Sequence, residues 1–148
     1  MTLTLAEPPA IPTWRIELPA GIELMNSNDR PTIRQRARLT RELREAGTAA
    51  AVKAGVPRLE RAYVTCYLHP TTRGRRDPGN WYPSAKAFLD GVVDAGVLAD
   101  DDATHVLGPD MRLGAIIKPR PQLVMVLTDL TQLSPEHLVL LNPLGAAA

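Results

Sequence analysis

The sequence has a single cysteine, Cys66, in 148 residues. That excludes an intrachain disulfide framework and a cysteine-rich zinc site. Aromatic residues are sparse, at 4%. No apolar run approaches the length of about 20 residues that spans a bilayer. No charged start followed by an apolar stretch reads as a signal peptide. The expected compartment is therefore the cytoplasm. No internal repeat is present.

What is present suits one compact domain. Hydrophobic residues make up 45% and charged residues 22%, ordinary for a soluble globular chain. Net charge is +1, but it is unevenly spread. Residues 1–29 carry net −3, residues 30–86 net +9 and residues 87–148 net −5. A basic middle before an acidic half suggests a polyanion-binding surface beside a separate acidic site. A solvated Arg-rich helix without a partner is the plain alternative.

Residues 1–12 hold three prolines and no periodic pattern, a loose lead-in. Trp14, Ile16 and Leu18 alternate with Arg15 and Glu17, which predicts a short strand. Asn26-Ser27-Asn28-Asp29 is a polar loop. One of its side chains, or Thr32, can cap the helix expected over about 31–52. Leu39, Leu43, Ala46 and Ala50 mark its buried face. Arg34, Arg38 and Arg41 mark another. Gly47 weakens it and suggests a bend or an early end.

From Glu60 to His69 the pattern alternates cleanly, with Ala62, Val64, Cys66 and Leu68 inward. Pro70 to Arg76 is a basic loop. Pro83 suits the first turn of a second helix, with Ala85, Phe88, Leu89, Val92 and Ala95 on its core face. Gly96 can end it. Residues 105–117 read as a strand interrupted at Gly108-Pro109. Leu123 to Leu127 suits a central strand buried on both faces, joined to its predecessor by a turn at Lys118-Pro-Arg-Pro. Ser134-Pro135-Glu136 starts a short terminal helix. The order is roughly β-α-β-α-β-β, an α/β or α+β mixed sheet with two main helices. The boundaries are a lead-in at 1–12, a domain at 13–131, and a terminal helix and tail at 132–148.

The chemistry concentrates in Arg75-Arg76-Asp77-Pro78-Gly79-Asn80, then Lys86 and Asp90, then Gly96 and Asp100-Asp101-Asp102. Lys86, Asp90 and Asp94 recur at i, i+4 and i+8, so they share a helix face. Three successive aspartates repel one another, and the C-terminal end of a helix dipole adds to the cost. They are expected to face open water or a cation. Oxygen-only donors are what Mg²⁺ or Mn²⁺ takes.

This arrangement resembles the RusA family of Holliday-junction resolvases. That family carries an Arg-rich lead-in, then Asp-x-Asp-Asn, a helix with Lys and a later Asp, then Gly and an Asp-Asp pair. Arg75, Arg76, Asp77 and Asn80 match the first element, Lys86 and Asp90 the helix, Gly96 the stop, and Asp100-Asp101 the pair. The loop at Asn26-Ser27-Asn28 is also similar. The likeness is densest over residues 73–106. Two departures stand out. Gly79 replaces the second aspartate, and the interval from Asn80 to Lys86 is about three residues longer.

The resemblance implies a RusA-like fold and metal-dependent hydrolysis of four-way DNA junctions by paired cuts. It implies a catalytic set of Asp77, Lys86, Asp90 and Asp101. Mg²⁺, with Mn²⁺ as substitute, would be held by Asp77 and Asp101 with Asp100 and Asp90 in support. DNA contacts would come from Arg73, Arg75, Arg76 and Asn80, extended by Arg34, Arg38 and Arg41. A homodimer and a phage or prophage setting are implied as well. Asp90, Asp100 and Asp102 compete to replace the carboxylate missing at Gly79. A junction-binding protein without cutting activity is the alternative, and an unrelated α/β protein with an incidental acidic turn is another. His105 is a candidate support for the acidic run, His69 an exposed strand-end residue. Trp81 and Tyr82 either stack on an opened base or pack the start of the helix.

Overall fold

The computed structural model describes residues 11–145. Most of the expected lead-in and the final alanines lie outside the described residues. Four strands and three helices run in the order β1 (Thr13–Glu17), α1 (Ile33–Ala54), β2 (Ala62–His69), α2 (Tyr82–Asp94), β3 (Val106–Leu113), β4 (Gln122–Asp129) and α3 (Pro135–Leu141). They form a mixed α+β fold with one four-stranded sheet, ordered β1-β4-β2-β3. β4 runs antiparallel to both β1 and β2, while β2 and β3 are parallel. No helix among the described residues is long and apolar enough to cross a membrane.

The alternation of β2 has the expected consequence. Ala62, Val64 and Cys66 are fully buried, facing the helices with Ile16, Leu123, Met125 and Leu127 in one core. Burial pushes the Cys66 thiol up to about 12, so it packs as a small hydrophobe. β4 lies inside the sheet, as its apolar run predicts, and Val124 on its other face is also buried. The segment before β4 is not a hairpin turn. β4 pairs with β1 and β2, so residues 114–121 cross the end of β2, with Gly114 N–H and Ile117 N–H donating to Leu68 O and Pro70 O.

α1 begins where its cap predicts. Thr32 accepts from Gln35 N–H and the Gln35 side chain returns the bond to Thr32 N–H, a pairing that contributes about 1 kcal/mol. Gly47 does not end the helix, which runs on to Ala54. It is instead a contact point: a Cβ there would lie 2.6 Å from Phe88 O. The fully buried stripe is correspondingly Leu39, Leu43, Gly47 and Ala51, with Ala46 and Ala50 at its margin. Gly91 of α2 meets α1 backbone even more closely, and Thr48 Oγ1 donates to Gly91 O at 2.8 Å.

Asp94, two turns beyond Lys86 on α2, forms a two-pronged ion pair with Arg44 of α1, with Nη2 to Oδ1 at 2.8 Å. The Arg44 guanidinium holds the Asp94 carboxyl below the usual carboxylate range. A depressed carboxylate stabilises the fold above its ordinary pKa and loses that contribution as pH falls through the lowered value. Asp94→Asn is therefore expected to melt below wild type at neutral pH, with the gap closing in acid below the usual carboxylate range. Thermal melts across a pH series check this. A gap that stays constant with pH overturns it.

Candidate functional site

Lys86 sits one turn into α2, after Pro83 in the first turn. Its ammonium donates to Asp90 Oδ1 at 2.7 Å and to Asp101 Oδ2. Asp90 is reached because it lies one turn on along the same helix. Asp101 is reached because the chain reverses after α2. Gly96 takes φ +85°, a left-handed conformation that costs glycine little, and Val97 and Leu98 then bury. That anchors the turn and returns the acidic run to the helix flank. Both carboxylates are mostly covered, with side-chain exposures of 27% for Asp90 and 25% for Asp101.

The electrostatics follow from that packing. Partial burial pulls the Lys86 ammonium down, but hydrogen bonds to Asp101 and Asp90 together outweigh it and hold Lys86 above its ordinary value. The bond from Lys86 holds Asp101 below the usual carboxylate range against partial burial. One cation thus lies between two carboxylates.

Asp77 caps the 3-10 turn Pro78–Trp81, where its Oδ1 accepts from Gly79 N–H at 3.0 Å. A Cβ on Gly79 would sit 3.1 Å from that oxygen. An aspartate there would crowd a second carboxylate against Asp77, so glycine leaves Asp77 without a like-charged neighbour at that point. Asn80 fastens the polar loop to this turn. Its carbonyl accepts from Ser27 N–H at 2.7 Å, and its Oδ1 accepts from Ser27 Oγ at 3.4 Å. Ser84, fully buried, completes the attachment by accepting from Met25 N–H at 2.6 Å and donating to Met25 O at 2.8 Å. No sequence signal marked Ser84, because its partner lies 59 residues away.

The remaining acidic residues are engaged locally. Asp100 accepts from Asp101 N–H at 2.7 Å. Asp102 Oδ1 accepts from both the N–H and Oγ1 of Thr104 and lies 2.6 Å from His105 Nδ1. Those bonds, with Thr104 the larger cause, hold Asp102 below the usual range. Asp102 and His105 therefore serve the turn into β3. His69 is not an open strand-end residue either. Its Nδ1–H donates to Ala115 O at 2.9 Å, and Gly114 packs against its ring.

The arginines divide. Arg73 and Arg75 are exposed. Arg76 is spent on its loop, donating to Thr72 O at 3.0 Å and Thr72 Oγ1 at 2.9 Å. Arg34 and Arg41 are exposed along α1. Arg38 pairs with Glu42 and Glu23. Arg36, which the sequence reading passed over, lines a cleft of about 310 Å³ with Arg38, Asn26, Ser27 and Pro83.

Among the described residues, no three acidic, histidine or cysteine side chains converge on one metal position. No hydrogen bond or ion pair among them joins Asp77 to the Lys86 cluster. The donor chemistry nevertheless suits Mg²⁺, which commonly takes one or two carboxylates and completes its shell with waters and phosphate oxygens. Asp90 with Asp101 is such a pair, and Lys86 now holds the position between them. No protein-family model matches the sequence, and no curated protein matches it.

Proposed function

We propose that the protein is a metal-dependent endonuclease that cuts four-way DNA junctions in the cytoplasm, in the manner of RusA-type resolvases. The observation that carries this reading is the Asp90–Lys86–Asp101 cluster on a helix entered through the Asp77–Asn80 turn and preceded by exposed arginines. These are the positions on which the family pattern falls. A bound Mg²⁺ would supply a hydroxide-like nucleophile and neutralise charge on the phosphate.

The chain's own residues supply the rest. Asp101 and Asp90 offer the carboxylate pair, and Asp77 caps the turn that leads into α2. Lys86, released from one carboxylate, contacts the scissile phosphate or orients the attacking water. Arg73 and Arg75 grip flanking phosphates, and Arg34, Arg38 and Arg41 extend the track. Such contacts give affinity that falls steeply with salt and carries little sequence information. Asn80 and Arg76 hold the loops that present these groups.

Paired cuts call for two sites related by a two-fold axis, hence a homodimer. The sheet face turned away from the helices suits it. Its rows read Arg15, Val126, Thr65, Asp110 and then Glu17, Val124, Tyr67, Arg112. A two-fold axis along the strands lays β1 over the partner's β3, so Arg15 meets the partner subunit's Asp110 and Glu17 the partner subunit's Arg112. Arg15→Glu is expected to shift the protein toward monomer in sedimentation velocity, and adding Asp110→Arg to restore the dimer. A monomeric wild type overturns this arrangement.

A second reading is a protein that binds junctions without cutting, favoured by Gly79, which stands where the family pattern carries a carboxylate. One assay separates the two. A synthetic four-way junction and a linear duplex of the same sequence are incubated with the protein in Mg²⁺, Mn²⁺ or chelator. Symmetric nicks that need metal and a junction support cutting. Tight junction binding without nicks in either metal supports the second reading. No preference for the junction overturns both.

A further inference from the structure

Beside the 3-10 turn that Asp77 caps lies an open groove of about 530 Å³. Its walls are largely apolar, with Ile22, Leu24, Leu68 and Pro121 among them, and Trp81, Arg76 and Arg120 also line it. Trp81 is half-buried and Arg120 exposed. Tyr82, its sequence neighbour, is exposed and takes no part in this lining. The acidic residue in the groove, Glu23, faces Arg38 at 3.6 Å, so the balance of charge there is positive.

We propose that this groove receives a nucleobase unstacked from the DNA strand whose phosphate lies at the acidic centre. The indole of Trp81 is the stacking platform, and Arg120 takes the adjoining phosphate. The inference rests on the nuclease reading and adds a base pocket to it.

Three observations converge on this occupant. Asp77 and Trp81 are the two ends of a single 3-10 turn. Such a turn rises about 2 Å per residue, which separates them by roughly 8 Å along its axis. A strand bound at one end can therefore reach the other. Next, an aromatic face with guanidinium groups beside it is the chemistry that single-stranded nucleic acid selects, because every base has a π-face and every linkage a negative charge. Last, the charged lining is held in place. Arg76 is braced by Thr72, and a Cβ on Gly21 would lie 2.5 Å from Arg120 Cδ, so the Arg120 stem packs tightly over that glycine and its exposed guanidinium lines the groove.

Trp14 and Trp81 are the only tryptophans, which makes the test direct. Emission of the full-length protein is followed during titration with a short single-stranded oligothymidylate, without metal, for wild type, Trp14→Phe and Trp81→Phe. Binding is followed in parallel by anisotropy of a labelled strand. Saturable quenching is expected in wild type and Trp14→Phe and not in Trp81→Phe. Trp81→Ala is expected to weaken binding about tenfold or more. Arg120→Ala is expected to weaken it severalfold with an unchanged melting temperature. Strand binding that leaves Trp81 emission unchanged overturns the groove while the nuclease reading stands. Quenching in a protein that never nicks a junction supports the groove and overturns cutting. Absence of binding to either the oligonucleotide or the junction overturns both.

Discussion

Asp101→Asn is expected to lower metal-dependent nicking of a four-way junction by about a hundredfold or more, the scale on which removing one preorganised electrostatic group acts. Asp101 is the side chain that the reversal after α2 delivers to Lys86. The amide is nearly isosteric but has no charge. It can neither balance the Lys86 ammonium nor contribute an anionic donor to a cation. Its oxygen can still accept a hydrogen bond, so the turn is expected to hold its shape and the melting temperature to change little. Junction affinity in metal-free buffer is expected to stay within a few-fold of wild type, because phosphate grip belongs to the arginines. Rate and stability are therefore expected to separate. Nicking at the wild-type rate overturns the assignment. A large fall in melting temperature matching the fall in rate reduces Asp101 to a structural residue. Lys86→Met makes a companion measurement. It leaves two carboxylates facing one another without their cation, and added Mg²⁺ is then expected to raise the melting temperature more than in wild type.

Gly91→Ala is expected to destabilise the protein by about 1–3 kcal/mol, although alanine is the better helix former. The added methyl would lie 2.1 Å from Arg44 O and 2.8 Å from Thr48 N. Both are backbone atoms of α1, which cannot rotate aside as a side chain would. The helices must separate, and Thr48 Oγ1 then loses its bond to Gly91 O. Intrinsic helix preference pulls the other way by about 1 kcal/mol. The clash wins because it falls on the closest point of the α1–α2 contact. Chemical denaturation measures the difference, and a rise in stability would show that the helices are not held so close. The same change should also reduce nicking, since α2 carries Lys86 and Asp90.

Much of this was legible along the chain. Alternation in β2 is a local property, and it specified which residues meet the core. Thr32, Pro83 and Gly96 act within a few residues of themselves, so helix limits could be read from them. The spacing of Lys86 and Asp90 follows from helical geometry alone. Other features depend on distant partners. Asp94 shares a helix face with Lys86 and Asp90, but its partner is Arg44, 50 residues away. Gly47 looked like a weak point in a helix and proved to be where Phe88 packs. His69, Asp102 and His105 looked available and are engaged by nearby backbone and side chains.

The sequence by itself determined the elements, the inward face of the sheet and the grouping of chemistry between Arg73 and Asp102, because periodicity, capping and charge act over a few residues. Only the tertiary structure decided the partners. It brought Asp101 to Lys86, gave Asp94 to Arg44, tied Asn80 to Ser27, and brought Trp81, Arg76 and Arg120 to one groove. Those pairings depend on how the helices and loops pack across the sheet, and no spacing in the sequence encodes that.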